Sequence, residues 1–226
     1  TYDSAGPYKS GTVVRITATF NEAMADSPVT KIAISGSNTL SAADMTKTDT
    51  THYYYDHTVG AGDGTATVAL SVGEDVSGNV ITSAPTSGAT FTVDNTVPVI
   101  TTALPAASST VNNTKVYYTL SEAVASGTIT WTRTGGTADV GSPHAQVLTG
   151  AELNSGAHAS ITLSDDPTLV DGTIYTVTFA ATDAAGNAAT TVTNTLVTYD
   201  AGDPTAAITY DSAGPYKSGT VVRITA

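Results

Sequence analysis

The chain repeats its own beginning, because residues 1–18 recur without change as residues 209–226. Such a recurrence indicates a tandem array, and its period is far longer than the roughly 20–50 residues of solenoid repeats. Each repeat is therefore expected to contain whole domains rather than one supersecondary element.

A second, diverged repeat lies inside the first. Three short motifs recur in the same order, and they pair residues 20–24 with 120–124, 75–79 with 183–187, and 93–98 with 199–204. A spacing of roughly 100 residues is a usual size for an independently folding domain. The sequence thus predicts a first domain over residues 1–96, a second over 97–203, and the first strands of a further repeat over 204–226.

The composition favours β-structure. Only 12% of the residues are charged, Cys is absent, and Thr and Val are abundant. Short alternating apolar segments are separated by clusters of Gly, Pro, Asn and Asp, and about seven short strands per hundred residues are typical of a β-sandwich. We therefore predict an all-β chain of tandem immunoglobulin-like sandwiches with Greek-key topology, arranged as beads on a string. Only residues 40–48 and 148–153 are expected to form short helices or turns.

Charge and motifs restrict the function. The formal net charge is −12 and the sequence pI is about 4.3, so nucleic-acid binding is disfavoured and divalent cations are natural partners. No stretch approaches the roughly 18 consecutive apolar residues of a membrane span. Gly-x-Ser-x-Gly, His-Glu-x-x-His and phosphate-loop motifs are all missing from the sequence, which predicts that the chain is not an enzyme.

The aromatic and histidine residues are expected to pack within strands. Trp131 lies near the strand position where sandwiches bury a large aromatic side chain. The three tyrosines at 53–55 predict strand packing, with a binding patch as the alternative. His52 and His57 should lie on opposite faces of one strand, which argues against a shared metal ion.

The three motifs that recur in both halves together resemble those of the bacterial immunoglobulin-like repeats of large surface proteins and adhesins. They are strands ending in Phe-x-Glu and Leu-x-Glu at Glu22 and Glu122, an Asp-x-x-Gly-Asn loop before the last strand, and the linker over residues 93–98. The resemblance implies an extracellular or cell-surface location, and domain strings often stiffened by calcium at their junctions. It also implies a structural repeat of a fibre or adhesin stalk. The alternative is a carbohydrate- or receptor-binding module of an adhesin.

An immunoglobulin-like topology brings three carboxylates to one pole of the second domain. The start of its first strand lies at the same end as the B–C and F–G loops, so Asp94 should approach Glu122 and Asp183. Such a cluster repels itself unless a cation neutralises it, and Ca²⁺ prefers six to eight oxygen ligands. We therefore expect Ca²⁺ at these three residues, with Asn187 and Asn95 among the further ligands. The alternative is turn chemistry alone, because Asp-x-x-Gly-Asn is also an ordinary tight-turn sequence.

The same reasoning predicts one complete junction and two half-junctions. Glu22, Asp75 and Asn79 would form the receiving pole of the first domain, whose linker would come from a preceding repeat. Asp200 and Asp203 would form the outgoing linker, whose glutamate would come from the following repeat. In a tandem array these halves would meet as further metal sites.

The terminal copy begins a domain without the rest of it. Its apolar residues Val221, Val222 and Ile224 have no core of their own within the chain. Such a strand either continues covalently into a longer array or completes another copy by strand addition. The expected partners are therefore neighbouring repeats of the same chain and, through strand addition, other copies of it.

Overall fold

The first half of the chain consists of short strands whose side chains alternate between a buried and an exposed face. The computed structural model describes residues 1–82 and 84–225. The strands of this half are β1 (Val13–Thr19), β2 (Lys31–Gly36), β3 (Leu40–Asp44), β4 (Thr46–Lys47), β5 (His52–Thr58), β6 (Gly64–Val72) and β7 (Thr90–Val93). They form one sheet with the order β1-β5-β4 and a second with the order β3-β2-β6-β7.

A single apolar core lies between these two sheets. In β1, Val14 and Ile16 are buried while Val13 and Arg15 are exposed, as the two-residue period of a strand requires. Tyr8 joins the core and forms a parallel bridge to Val93. Arg15, on the outer face, forms an ion pair with Asp56 and lies 4.2 Å from the ring centroid of Tyr54.

The second half repeats the two-sheet plan with longer strands. They are β8 (Ile100–Leu104), β9 (Thr110–Val111), β10 (Val116–Leu120), β11 (Ser126–Gly136), β12 (His144–Val147), β13 (Gly156–Ile161), β14 (Thr173–Thr182) and β15 (Val192–Tyr199), with a 3₁₀ helix over Gly150–Leu153. One sheet has the order β13-β10-β8, and the other has the order β12-β11-β14-β15-β9. The short strand β9 pairs parallel with β15.

Trp131 lies at the centre of the second core, as the sequence predicts. Its side chain is 0% exposed, and its ring packs edge-on against Tyr175 with centroids 5.9 Å apart. The indole Nε1–H donates to Gln146 Oε1 at 3.0 Å, and Gln146 Nε2 donates to the carbonyl of Asp165 at 2.9 Å. Each buried polar atom in this chain of contacts therefore has a partner.

The prediction of a short helix or turn over residues 40–48 is wrong. These residues form β3, which pairs with β2, and β4, which pairs with β5 in the other sheet. Met45 lies between the two strands and is only 4% exposed, so the chain crosses from one sheet to the other where this side chain enters the core. Pairing with two neighbouring strands determines the conformation here, whatever the local propensity. Residues 148–153 do contain the expected short helix.

The predicted all-β class is confirmed, and each half consists of two sheets around an apolar core of its own. The two cores draw on residues 8–93 and 100–197. The domain boundaries and the beads-on-a-string arrangement stay predictions. None of the helical residues that the structure describes form a segment of the length and hydropathy needed to cross a bilayer.

The terminal copy keeps one strand pairing of the first 18 residues, but most of its side chains are exposed. Its strands β16 (Thr209–Tyr210) and β17 (Ile224–Thr225) pair Tyr210 with Ile224, as Tyr2 pairs with Ile16 near the start of the chain. However, Ile224 is 62% exposed and Ile16 only 4% exposed. The same sequence therefore forms the same residue pairing in both places, and among the described residues only the first copy packs against an opposing sheet.

These two isoleucines give a matched test of the fold in the 226-residue chain. We expect Ile16→Ala to lower the free energy of unfolding of the first half by about 2–5 kcal/mol, because it removes buried methyl and methylene groups from the first core. The same change at Ile224 should alter it by less than about 0.5 kcal/mol, because that side chain faces solvent. Urea unfolding of the two variants would measure the difference. Equal effects would contradict the described packing.

Candidate metal centre

The loop over residues 183–187 presents a buried carboxylate. Asp183 directly follows β14 and is 4% exposed. Its Oδ1 accepts a hydrogen bond from the backbone N–H of Asn187 at 2.8 Å, and its Oδ2 accepts one from Asn187 Nδ2 at 2.8 Å. Gly186 adopts a φ of 88°, a conformation that favours glycine. Turn chemistry therefore fixes this loop, whether or not it also binds a cation.

Asp94 approaches this loop from the linker that follows β7. Its backbone N–H donates to the carbonyl of Tyr8 at 3.0 Å, and its own carbonyl accepts from Asn187 Nδ2 at 2.9 Å. Within the linker, the N–H of Thr96 donates to Asp94 Oδ1 at 3.0 Å. The linker backbone is thus hydrogen-bonded to both halves of the chain at this residue.

Glu122 follows β10 and faces the same linker. The neighbouring Ser121 donates its N–H to the carbonyl of Val99 at 3.0 Å, and its Oγ accepts the N–H of Val99 at 2.9 Å. These bonds hold the end of the strand against the linker. Glu122 Oε1 is shielded from solvent and has no hydrogen-bond partner. Because buried polar atoms are normally partnered, this oxygen calls for a hydrogen-bond donor, such as water, or for a cation.

Three carboxylate groups meet at this point. One oxygen each from Asp94, Glu122 and Asp183 lies within 4.8 Å of the others. Since Ca²⁺–oxygen distances of about 2.3–2.6 Å place opposite ligands about 4.6–5.2 Å apart, the cluster has the size of a calcium coordination sphere. Burial raises the pKa of the Glu122 carboxyl, and the charges of Asp94, Asp183 and Asp63 raise it further. A divalent cation would neutralise this repulsion.

Asp63, whose charge also acts on Glu122, was not among the acids expected at this pole. Asp63 Oδ1 accepts the N–H of Asn95 at 2.5 Å, so it holds the linker just after Asp94. The second half contains the same arrangement, in which Asp171 Oδ1 accepts the N–H of Ala201 at 2.7 Å. Asp63 and Asp171 are each followed by Gly and then by a long strand. This repeated Asp-Gly pair is the sequence signal that could have identified the two residues.

The two asparagines expected as further ligands act here as positioning groups. Asn187 directs its amide nitrogen toward the Asp94 carbonyl and Asp183 Oδ2. Asn95 uses both ends of its side chain, because Oδ1 accepts the N–H of Ser10 at 2.6 Å and Nδ2 donates to the carbonyl of Gly62 at 2.6 Å. Both asparagines therefore hold the linker in place.

Lys9 makes a contact between the two halves that the sequence did not suggest. Its Nζ donates to the carbonyl of Gly186 at 2.6 Å. The side chain reaches across the linker from the first half to the Asp183 loop. The Lys9 ammonium group therefore lies beside the Asp183 loop, but its hydrogen bond is to a backbone carbonyl and not to one of the three carboxylates.

The first half contains a copy of the loop but no third acid beside it among the described residues. Asp75 is 5% exposed and accepts from Asn79 N and Nδ2 at 2.8 and 2.7 Å, as Asp183 accepts from Asn187. Glu22 is exposed nearby, and it lines the same groove as Asp75 and Asn79.

The second linker is built differently from the first. Asp200 Oδ1 accepts the N–H of Gly202 at 3.2 Å, as Asp94 accepts the N–H of Thr96, and Asp203 is exposed. Ala201 stands where the first linker has Asn95, so the two side-chain bonds of that asparagine have no counterpart. Neither aspartate of the second linker joins an acidic cluster in the described part of the chain.

The histidines lie apart from the acidic cluster. His57 is buried with Nε2 3.0 Å from Asn38 Oδ1, whereas His52 lies 2.9 Å from Asp49 in a turn. His144, which has no acid beside it in the sequence, contacts Asp139 Oδ2 at 2.7 Å. Burial raises the pKa of Asp139, but hydrogen bonds from His144, Tyr175 and the backbone lower it overall. This network ties a loop to the second core.

Comparison with known proteins identifies the second half. Residues 94–201 match the family model described as a bacterial Ig-like domain. This region is therefore a bacterial Ig-like domain, and the resemblance drawn from the sequence is confirmed for it. The matched region contains all three acids of the cluster, Asp94, Glu122 and Asp183.

Similarity to solved structures is more distant. The fibronectin(III)-like modules of Clostridium thermocellum CbhA are 19% identical, with 89% of this chain and 94% of that chain covered and a TM-score of 0.38. Values this low support no functional conclusion. A search of curated proteins found no match.

The repulsion within the cluster predicts an unusual effect of removing one charge. A carboxyl whose pKa is raised on folding binds more protons in the folded than in the unfolded state, so stability falls as the pH rises above its ordinary value of 4.5. In EDTA at pH 7, Glu122→Gln should therefore raise the free energy of unfolding, and the gain should shrink at pH 4. Urea unfolding at the two pH values measures this.

The control for this variant is Glu22→Gln, which changes the corresponding residue of the first half. Glu22 is exposed, so its replacement should alter stability by less than about 0.5 kcal/mol. If Glu122→Gln destabilises the chain in EDTA, the three carboxylates do not repel one another as described.

Proposed function

Starting from a bacterial Ig-like domain over residues 94–201, we propose that the chain is a structural repeat of an extracellular fibre or surface adhesin stalk. Ca²⁺ bound by Asp94, Glu122 and Asp183 would stiffen the junction between its two halves. The observation that carries this proposal is the group of three carboxylates within 4.8 Å, one of which has a shielded oxygen without a partner.

The position of the cluster explains why metal binding would affect stiffness. Asp94 lies in the linker, whereas Glu122 follows strand β10 of the second sandwich and Asp183 opens a loop of the same sandwich. A cation bound by all three would tie the linker to the pole of the second sandwich. The linker is itself bonded to the first half through Tyr8 and Asp63. Rotation about the linker would then break metal–ligand bonds as well as hydrogen bonds.

The donor set suits calcium better than other common cations. All three side-chain ligands are carboxylates, and no Cys is present in the chain, which disfavours the softer metals. Ca²⁺ accepts irregular sets of carboxylate, carbonyl and water oxygens, while Mg²⁺ demands near-octahedral geometry. Extracellular calcium modules bind with dissociation constants of roughly 10⁻⁴–10⁻³ M, so a high-calcium environment would saturate the site.

A structural role also agrees with how the aromatic side chains are used. Glycan-binding modules need exposed aromatic surfaces, whereas Trp131 and Tyr53 are buried and Tyr54 is covered by Arg15. Bacterial Ig-like domains are typically non-catalytic. We therefore favour a stalk over both the carbohydrate- or receptor-binding module and an enzyme.

Calcium is expected to stabilise the chain through these residues. At 10 mM Ca²⁺ and the dissociation constants above, the free energy of unfolding should increase by roughly 1–3 kcal/mol relative to EDTA. Asp183→Asn should abolish this increase. Differential scanning calorimetry with Ca²⁺, Mg²⁺ or EDTA measures it.

Asp75→Asn is the matched control for Asp183→Asn. Asp75 makes the same bonds to Asn79 that Asp183 makes to Asn187, so both variants perturb an equivalent turn. Only Asp183→Asn should also lose the response to calcium. A wild-type chain that shows no calcium-dependent stabilisation, or an equal loss in both variants, would contradict the proposed site.

Stiffening is a separate prediction from binding. With Ca²⁺, residual dipolar couplings from residues 8–93 and 100–197 should fit alignment tensors of equal magnitude, because the two halves tumble together. In EDTA the two magnitudes should differ. Equal tensors under both conditions would show that the hydrogen bonds alone hold the junction, and the stiffening role of calcium would be wrong.

A further inference from the structure

A groove with an apolar floor runs along one edge of the first sandwich. Its volume is about 570 Å³. The floor consists of core side chains from both sheets, and the rim includes the end of β1 and the residues that follow it. The apolar lining residues include Ile16, Phe20, Met24, Ile32, Met45 and Leu70. The corresponding place in the second sandwich, beside Ile100 and Leu120, has a void of only about 10 Å³.

The groove lies beside the edge of β1 to which Thr1 and Tyr2 are bonded. Thr1 exchanges backbone hydrogen bonds with Thr17 at 2.8 and 2.9 Å, and Tyr2 bridges Ile16. Alternate residues of a strand direct their N–H and C=O groups to the same edge. The backbone N–H and C=O of Thr19 therefore point to the same edge as those of Thr17. Among the described residues, no strand pairs with this edge beyond Thr1.

In the second sandwich the equivalent edge is covered by β8. Thr101 pairs with Thr119 and Ile100 with Leu120, and Ile100 is 8% exposed. Leu120 corresponds to Phe20 in the repeated motif. The second sandwich therefore shows what fills such a groove: a strand that continues directly from the linker.

The sequence repeat identifies the segment that fits the first groove. Residues 204–208 precede Thr209, and the copy that begins at Thr209 is identical to the one that begins at Thr1. We propose that residues 204–208 of a second copy of the repeat occupy the groove as an edge strand of the first sandwich.

The strand register supports this assignment. Continuing the antiparallel pairing of Thr1 with Thr17, one residue at a time, places Ile208 opposite Ala18 and Ala206 opposite Phe20. It places Pro204 opposite Glu22. In the second sandwich, continuing from the pair of Ile100 with Leu120 places Pro98 opposite Glu122.

The linker motif leads independently to the same alignment. The motif repeat already pairs Pro98 with Pro204, and Asp94 precedes its proline by the same number of residues as Asp200 does. The strand register counted from Thr1 and the motif match therefore both align Pro204 with Pro98. A chance alignment would not be expected to bring the two prolines opposite the two glutamates in both sandwiches.

Side-chain alternation completes the fit. Tyr2 packs against the first core, with its ring 5.8 Å from that of Phe91. Ile208 and Ala206 share the parity of Tyr2 along the extended strand, so they would point into the groove. In this chain Ile208 is 62% exposed. In the proposed arrangement, the exposed side chain of Ile208 would become buried in the groove.

The proposal is tested by adding the segment to the full chain. One variant carries the sequence of residues 200–208 directly before Thr1, and its control carries the same segment with Ala206→Asp and Ile208→Asp. Both are studied in EDTA, so that the result does not depend on metal binding and stays distinct from the proposed function. The readout is hydrogen exchange of backbone amides by NMR.

We expect the added segment to slow exchange of the Thr19 amide by at least about tenfold relative to the control, because that amide gains a strand partner. Amides of β10 in the second sandwich should be unchanged and serve as the internal reference. Equal exchange at Thr19 in the two variants would overturn the proposal.

A peptide added to the unaltered chain gives a second readout that needs no new fold. A synthetic peptide of residues 200–208, at millimolar concentration, should shift the NMR signals of Ala18 and Phe20. The peptide with Ala206→Asp and Ile208→Asp should leave them in place. Shifts of the same size with both peptides, or with neither, would count against the groove as the binding site.

Discussion

Burial of one face of each strand against an opposing sheet is the interaction on which the rest of the molecule depends. Ile16 and Ile224 occupy identical sequence, yet the first is 4% and the second 62% exposed. Local strand pairing occurs in both copies, whereas among the described residues only the first copy packs against an opposing sheet. Packing against an opposing sheet, rather than local strand pairing, therefore accounts for the burial of this sequence in the first half.

The pole of the second sandwich combines neutral hydrogen bonds with unbalanced charge. Asn187 holds the linker carbonyl of Asp94 and the carboxylate of Asp183 together, and Asn95 fastens the next linker residue to the first half. These bonds position the acids before a cation is involved. The carboxylates then repel one another, and Glu122 has an oxygen without a partner. Order at the junction is thus supplied by amides, while the affinity for a cation would come from the acids.

The sequence predicts the parts of the structure that follow from strand period and from the two diverged repeats. The burial of Trp131 follows from its strand position, and the approach of Asp94, Glu122 and Asp183 follows from placing repeated motifs on an immunoglobulin-like topology. Residues 40–48 could not be predicted, because Met45 directs the chain from one sheet to the other and only the packed core determines that crossing. Lys9 was missed for a related reason, since its bond to Gly186 joins residues that only the packing of two units brings together.

The difference between the two linkers has a mechanical consequence. Asn95 makes two side-chain bonds in the first linker, and the second linker has Ala201 and the unsubstituted backbone of Gly202 in the corresponding stretch. Elastic elements joined in series add their compliances, so the more yielding linker dominates the bending of any chain in which the two alternate. Such a chain would behave as rigid pairs of sandwiches joined by softer hinges, with a persistence length set by the linker after residue 199.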